Sequence, residues 1–260
     1  MTSALVICIH GYPGQASDFA AVGERLALGR EVVSIPMPWS EDCPAGLFPG
    51  GLGLKELAEH LLTAISRLGG GKAAHLVAHD LGSLAAWAVA AVQPGAVQSL
   101  AVLSAPHPTA YRANLDALQA GGHRAYVDRL LSGQPDAPLP PLHPAEQSAA
   151  DIPALDRLEA ARRKTRRAPL RSLYRSVMDA EVIRAAPAMP PAKCPVTLIA
   201  GAQDPYFPAP LAEESRRASG PSAALRLLPD AGHHPHLTHP QEVAALLADH
   251  LDAVDPRAKA

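Results

Sequence analysis

His75-Leu76-Val77-Ala78-His79-Asp80-Leu81-Gly82-Ser83 is the stretch whose reading decides the fold. An apolar run ends in a small–X–acid–X–small pattern, and an Ala-rich helical stretch follows, from Leu81 to Val92. That order describes a strand-to-helix elbow with a side chain projecting from its apex. The turn is tight enough to require small residues two positions either side of the apex, and Ala78 and Gly82 stand there. Taken alone, Asp80 would serve equally well as a helix N-cap. Its partners elsewhere in the chain decide between the two readings.

Working outward, Leu5-Val6-Ile7-Cys8-Ile9 is a continuous apolar run, the mark of a strand covered on both faces. Ser17 and Asp18 are expected to cap a first helix over Phe19–Leu28, and Glu31–Ile35 gives a second strand. A Pro/Gly-rich loop with Trp39 leads to a helix over Leu54–Leu68, where Leu57, Leu61 and Ile65 share one face and Gly69-Gly70-Gly71 ends it. Ala74–Ala78 and Val97–Leu103 are further strands. From about Pro106 to Ala186 the alternation breaks into an Arg- and Ala-rich helical region with a Pro-rich loop over Gln134–Pro153. It resumes with strand Pro195–Gly201, helix Ala209–Ser219, strand Ala224–Leu228 and helix Pro240–Ala253. Strand–helix alternation implies an α/β fold, a mostly parallel sheet of about six strands flanked by helices. Residues 1–105 and 187–260 form the expected core, with 106–186 as a helical cap over the carboxyl ends of the strands, where such sheets keep their sites. His10, Asp80, Ala105 and Asp204 all fall just after strands.

The gross composition narrows the class. A chain of 260 residues can bury one large core with an insertion. A net charge of −2 gives no electrostatic draw to nucleic acid or to an acidic membrane. Three cysteines without CxxC spacing point to buried thiols in a reducing compartment, and the expected location is cytoplasmic. The N-terminal apolar run is too short for a signal peptide, and no stretch approaches a spanning helix.

A carboxylate at an elbow cannot make an ordinary acyl-enzyme. It can attack a saturated carbon to form an alkyl ester that water then hydrolyses, which points to strained or activated C–O or C–halogen bonds. Such chemistry needs a base for water, an orienter for that base, and donors for an oxyanion. His233, in Ala231-Gly232-His233-His234-Pro235, is the candidate base, and Asp204, before Pro205, the candidate orienter. The chain order is nucleophile, acid, histidine, as in other enzymes with this elbow. The backbone amides of Leu81 and Tyr12 are the candidate oxyanion donors. The irregular spacing of His234, His236 and His239 argues against a metal site.

These segments resemble the α/β-hydrolase superfamily, in its epoxide hydrolase and haloalkane dehalogenase branch, and the epoxide hydrolases most closely. The resemblance rests on His10-Gly11-Tyr12-Pro13, His79-Asp80-x-Gly82, Asp204-Pro205 and Gly232-His233, in order, and spans nearly the whole chain. It implies a cofactor-independent epoxide hydrolase acting on a small hydrophobic substrate with water, in which two cap tyrosines hold and protonate the epoxide oxygen. Tyr174, in Ser172-Leu173-Tyr174-Arg175, resembles the second of these; Tyr126 is the candidate first, with Tyr111 in reserve. Ala105-Pro106-His107-Pro108 resembles the entry into the cap, with His107 at its hinge. Trp39, His107 and Tyr111 are weaker candidates for the pocket wall, and Trp39 could instead plug the loop. Dehalogenases of this branch grip a halide or a carboxylate with a tryptophan, asparagine or arginine at positions that are here Leu81, Tyr12 and Leu84, so that alternative lacks its usual handles. A further alternative is a hydrolase-fold binding module without turnover. Arg162-Arg163-Lys164-Thr165-Arg166-Arg167 reads as a solvated cap face. The short lead before the first strand is expected to leave a sheet edge that a second copy could cover.

Overall fold

The computed structural model describes residues 4–134, 137–142 and 147–255. Six strands form one sheet: β1 (Ala4–Ile9), β2 (Arg30–Ile35), β3 (Ala74–His79), β4 (Val97–Leu103), β5 (Val196–Gly201) and β6 (Ala224–Leu228). All pairs are parallel and the order across the sheet is β2-β1-β3-β4-β5-β6. The continuous apolar runs follow from burial on both faces. Leu5, Ile7 and Ile9 of β1 enter one core cluster, and the alternate residues Val6 and Cys8 enter the other.

The first face is covered by α2 (Leu54–Gly69), α3 (Ser83–Val92) and α10 (Ala209–Ala218), and the second by α1 (Ala20–Leu26) and α12 (Pro240–Val254), which the short α11 (Pro235–Thr238) precedes. Leu57, Leu61 and Ile65 of α2 are buried, as their helical spacing requires, and the helix stops at Gly70, whose φ of 56° suits a residue without a Cβ. The start of the chain differs from expectation. A 3-10 turn over Ala16–Phe19 precedes α1, its N-cap is Gln15, and Asp18 is buried inside the turn, accepting from the Gln15 amide at 2.9 Å. Asp18 also receives Arg157 Nε at 2.8 Å, so its carboxylate ties two distant segments together rather than capping a longer helix.

Between β4 and β5 the chain runs through α4 (Pro108–Ala113), α5 (Leu115–Ala120), α6 (Ala125–Ser132), a 3-10 turn over Ala149–Ala154, α7 (Leu155–Lys164), α8 (Arg167–Val177) and α9 (Ala180–Ala185). Part of the Pro-rich loop, 135–136 and 143–146, lies outside the described residues. The insertion is fastened by polar contacts as well as by apolar ones. The buried Arg171 guanidinium donates to the carbonyls of Leu130, Ala137 and Pro138. Ser172 Oγ accepts from the Leu52 amide at 2.9 Å, tying α8 to the loop before α2. The basic run around Arg162 is only partly a solvated face. Arg162 pairs with Glu159 and donates to Leu139 O, Thr165 is buried, and the Arg166 amide donates to Trp39 O at 2.8 Å. No helix among the described residues is long and apolar enough to cross a membrane.

Candidate active site

Parallel registry brings the predicted residues to one edge of the sheet. Ile9 pairs with Ala78, and His79 with Leu103, so the residues after β1, β3 and β4 emerge side by side. Asp80 sits at the apex between β3 and α3 with φ 46°, a left-handed conformation that few non-glycine residues adopt. Ser83 Oγ donates to Asp80 O at 2.6 Å and closes the elbow. The close approach of the β1 turn explains Gly11: a Cβ there would stand 2.6 Å from Asp80 Cβ and 2.7 Å from its Oδ2. A Cβ on Gly82 would strike the His10 carbonyl. His10 itself braces the turn, its Nε2 accepting from the Met37 amide at 3.1 Å.

Asp80, Asp204 and His233 converge as the chain order predicts. His233 Nε2 stands 3.6 Å from Asp80 Oδ1, and Nδ1 is 2.8 Å from Asp204 Oδ2. An ionised carboxylate only accepts, so Nδ1 carries the proton and donates it to Asp204. The other oxygen of Asp204 accepts from the amides of Tyr206 and Phe207 at 2.8 and 3.0 Å, which fixes its orientation. The Tyr12 amide donates to Asp80 Oδ2 at 3.0 Å. Leu81 follows Asp80 in the elbow and lines the cavity, but its amide makes no bond to the carboxylate among the described residues.

The electrostatics follow from this geometry. Burial alone would neutralise His233, but the charge and hydrogen bond of Asp204, with Asp80 adding to both, hold its imidazolium well above the usual range. Burial works to raise Asp80, and the His233 hydrogen bond and charge overcome it, so the carboxyl sits below its usual value. Behind the pair, His79 Nε2 donates to His233 O at 2.9 Å; burial and the nearby His233 charge push His79 down to about 4. A carboxylate and an imidazolium therefore face each other, with neutral imidazoles at their back.

Above them lies a cavity of about 350 Å³, with a narrower arm of about 40 Å³. Asp80, Tyr126, Tyr206 and His233 line both. Tyr126 from α6 and Tyr174 from α8 face the carboxylate, their rings edge-to-face at 6.4 Å. Burial, helped by the Asp80 charge, pushes both phenols well above their ordinary value, so both keep their protons. Tyr111 also lines the wide arm. Trp39 and His107 do not, which corrects the expectation for both. Trp39 is wholly buried and donates from Nε1 to Gly11 O at 3.2 Å, because its loop folds back under the β1 turn. His107 is wholly buried against Trp87, and its Nδ1 accepts from the Thr109 amide at 3.2 Å, capping α4.

Two residues at the site were not anticipated. Asp151, from the 3-10 turn of the insertion, is buried and accepts from the amides of His233 and His234 at 2.7 and 2.9 Å. In sequence it is one acid in a Pro-rich loop, and nothing local marks it. Tyr206 packs edge-to-face on His233 and on Tyr126, each at 5.0 Å. Its place two residues after Asp204 was the available signal. No group of three or more His, Cys, Asp or Glu among the described residues is arranged to hold a metal ion.

A doubly wound parallel sheet carrying an acid at its elbow, with a His–Asp pair delivered from later strands, defines the class: triad proteins of α/β architecture. The model of the alpha/beta hydrolase family matches residues 6–246, and the chain belongs to that family. No curated protein matches it. Among solved structures it is similar to an epoxide hydrolase from Bacillus megaterium in complex with an inhibitor, at 21% identity and TM-score 0.76, covering 96% of this chain and 94% of that one. Epoxide Hydrolase A from Mycobacterium thermoresistibile is similar at 22% identity and TM-score 0.66, covering 97% and 92%. A thermophilic esterase from Thermogutta terrifontis is similar at 20% identity and TM-score 0.71, covering 97% and 91%. At these identities the likeness is one of fold alone.

Proposed function

We propose that this hydrolase opens epoxides to vicinal diols through a covalent ester on Asp80, without a cofactor. The observation that carries the reading is the meeting of a carboxylate elbow with two protonated phenols, Tyr126 and Tyr174, in one apolar cavity. A carboxylate is the wrong nucleophile for a durable acyl-enzyme and the right one for a ring carbon. A protonated phenol is the right donor for an alkoxide that develops as the ring opens. The helical insertion, which supplies both phenols, acts as the cap.

In the first step an Asp80 oxygen bonds to a ring carbon, the C–O bond breaks, and the leaving oxygen takes a proton from Tyr174 or Tyr126. The new ester carries no charge, so His233 loses one of the two anions that hold its second proton; that proton passes to the phenolate left by ring opening, and the neutral imidazole becomes competent to accept one from water. In the second step that water attacks the ester carbonyl while His233, oriented by Asp204, takes its proton. The Tyr12 and Leu81 amides receive the oxyanion. Collapse breaks the carbonyl carbon–oxygen bond of the ester, the leaving alkoxide takes the proton from His233 to complete the diol, and the Asp80 carboxyl returns its own proton to His233, restoring the resting pair.

The test is single turnover of His233→Ala with styrene oxide, followed by intact mass and peptide mapping. One substrate mass added on Asp80 is the expected outcome. An adduct from an alkyl halide but from no epoxide would move the assignment to dehalogenation. Adducts from neither, with ligand-induced thermal stabilisation of the native protein, would favour a binding module.

A further inference from the structure

His79 is the covalent neighbour of the nucleophile, yet it carries no proton in the reaction above. Its place in β3 decides where its side chain goes. Residues two apart in a strand share a face, and Val77 packs in the second core cluster, so His79 projects to that side of the sheet. There the imidazole is buried and meets the histidine turn from behind, its Nε2 2.9 Å from the His233 carbonyl oxygen. A carbonyl only accepts, so Nε2 carries the proton and donates it. The rings of His234 and His236 stand beside it, with centroids 5.1 and 4.3 Å away. A neutral donor suits this place, because burial and the His233 charge hold His79 down to about 4.

Three separate segments therefore fix the base. Asp204 holds the imidazole Nδ1 at 2.8 Å, Asp151 of the insertion holds the amide at 2.7 Å, and His79 holds the carbonyl. The turn is tightly packed on its other sides. A Cβ on Gly232 would overlap Asp151 Oδ2, and one on Gly201 would overlap the Gly232 carbonyl. Of the three anchors, only the His79 bond comes from the elbow itself, one residue from Asp80.

The two steps make different demands on that spacing. Ring opening needs the Asp80 carboxylate, which the Tyr12 amide orients at 3.0 Å, and the two phenols. Hydrolysis needs a water within reach of His233 Nε2 and of the ester carbonyl carbon at once. His233 Nε2 stands 3.6 Å from Asp80 Oδ1, and a misplacement of about 1 Å in such an arrangement costs up to about a hundredfold.

We infer that His79 is a positioning residue for the hydrolytic half of the reaction, its Nε2–H bond to the His233 carbonyl holding the base at the spacing from Asp80 that the attacking water requires. The inference rests on the epoxide reading and assigns His79 to one of its two steps.

The test mixes the protein with styrene oxide in a rapid-quench experiment and follows the ester on Asp80 by intact mass. The rise of the adduct reports ring opening and its decay reports hydrolysis. The ratio of the two rate constants is read within one population, so partial loss of folded protein cancels. His79→Leu should leave the rise little changed and slow the decay by about ten- to a hundredfold, so that the adduct accumulates. His79→Gln, whose amide can place an N–H where Nε2–H stands, should restore most of the decay rate. A native ratio in His79→Leu overturns the inference. So does an equal loss in both constants, which would make His79 a support of the elbow as a whole. A His79→Gln as slow as His79→Leu also overturns it, since the donated bond would then not be the cause. Should His79→Leu not fold, His79→Asn takes its place against His79→Gln: both are amides, and only the longer reaches the carbonyl. If the native protein forms no ester with any epoxide, the functional reading fails and takes the inference with it. A native ester with the ratio unmoved in the variants removes the inference alone.

Discussion

At the residue scale, the pair Asp80 and His233 links structure to chemistry, because each shifts the other's protonation. The Asp80 carboxylate contributes to the raised His233 imidazolium through both charge and hydrogen bond. Asp80→Asn removes the charge and leaves Asp204 in place. The His233 titration, followed by nitrogen NMR, should therefore move down relative to the native protein while staying coupled to Asp204; an unmoved midpoint would refute the proposed switching of the base. Asp151 supports a second prediction. Its two oxygens satisfy two buried amides of the histidine turn. Asp151→Ala should destabilise the fold by about 2–4 kcal/mol, the cost of leaving those donors unmet. It should also lower kcat more than KM, because the displaced imidazole acts after the substrate is bound. Urea unfolding and steady-state kinetics check both parts. The meeting of Asp80, Asp204 and His233 was legible in sequence because each stands in a short motif at a strand end. Asp151 was not, because its partners are backbone amides 82 and 83 positions away.

At the scale of elements, the insertion is held by a small number of polar anchors that carry directional information. Arg171 on α8 gathers carbonyls from the end of α6 and from the segment after it. The same helix presents Tyr174 to the cavity, so the anchor and the phenol share one rigid rod. Arg171→Met would keep the apolar stem and leave the carbonyls without their donor. A loss of about 1–3 kcal/mol is expected in urea unfolding, with faster amide exchange concentrated in α6 and α8. Uniform loss of protection across the sheet instead would show that the anchor serves the whole fold. Strands and long helices agreed with their hydrophobic periods to within a residue or two. The first helix was displaced because Asp18, an apparent cap, is engaged by Gln15 and by Arg157 from far along the chain.

At the scale of the molecule, an unusual number of imidazoles are buried as neutral groups. Burial holds His79, His107 and His250 at about 4, pushes His234 and His236 well below their ordinary value, and lowers His10 and His75 as well. For each, the unfolded chain binds a proton that the folded one refuses, so stability falls as pH drops below the ordinary histidine value of 6.5. His233 has the opposite sign: its raised affinity adds stability below its elevated midpoint, and this is lost as pH rises through that midpoint. Seven groups oppose one, so Tm should fall steadily between pH 6.5 and 4 and change little just above neutrality. A Tm that stays flat across the acid range would contradict the neutral burial of this set.

Local sequence by itself determined the parallel α/β architecture, the elbow at Asp80, the order of acid and histidine, and the existence of a helical insertion. These follow from hydrophobic period and turn chemistry, which act over a few residues. Tertiary structure decided which side chains share the cavity. It buried Trp39 and His107 away from it, turned Tyr111 and Tyr206 toward it, and brought Asp151 beneath the histidine turn. The physical reason is that a strand end is fixed by its neighbours in the sheet, whereas a cap side chain is placed by packing and hydrogen bonds between segments far apart in sequence, which leave no periodic trace.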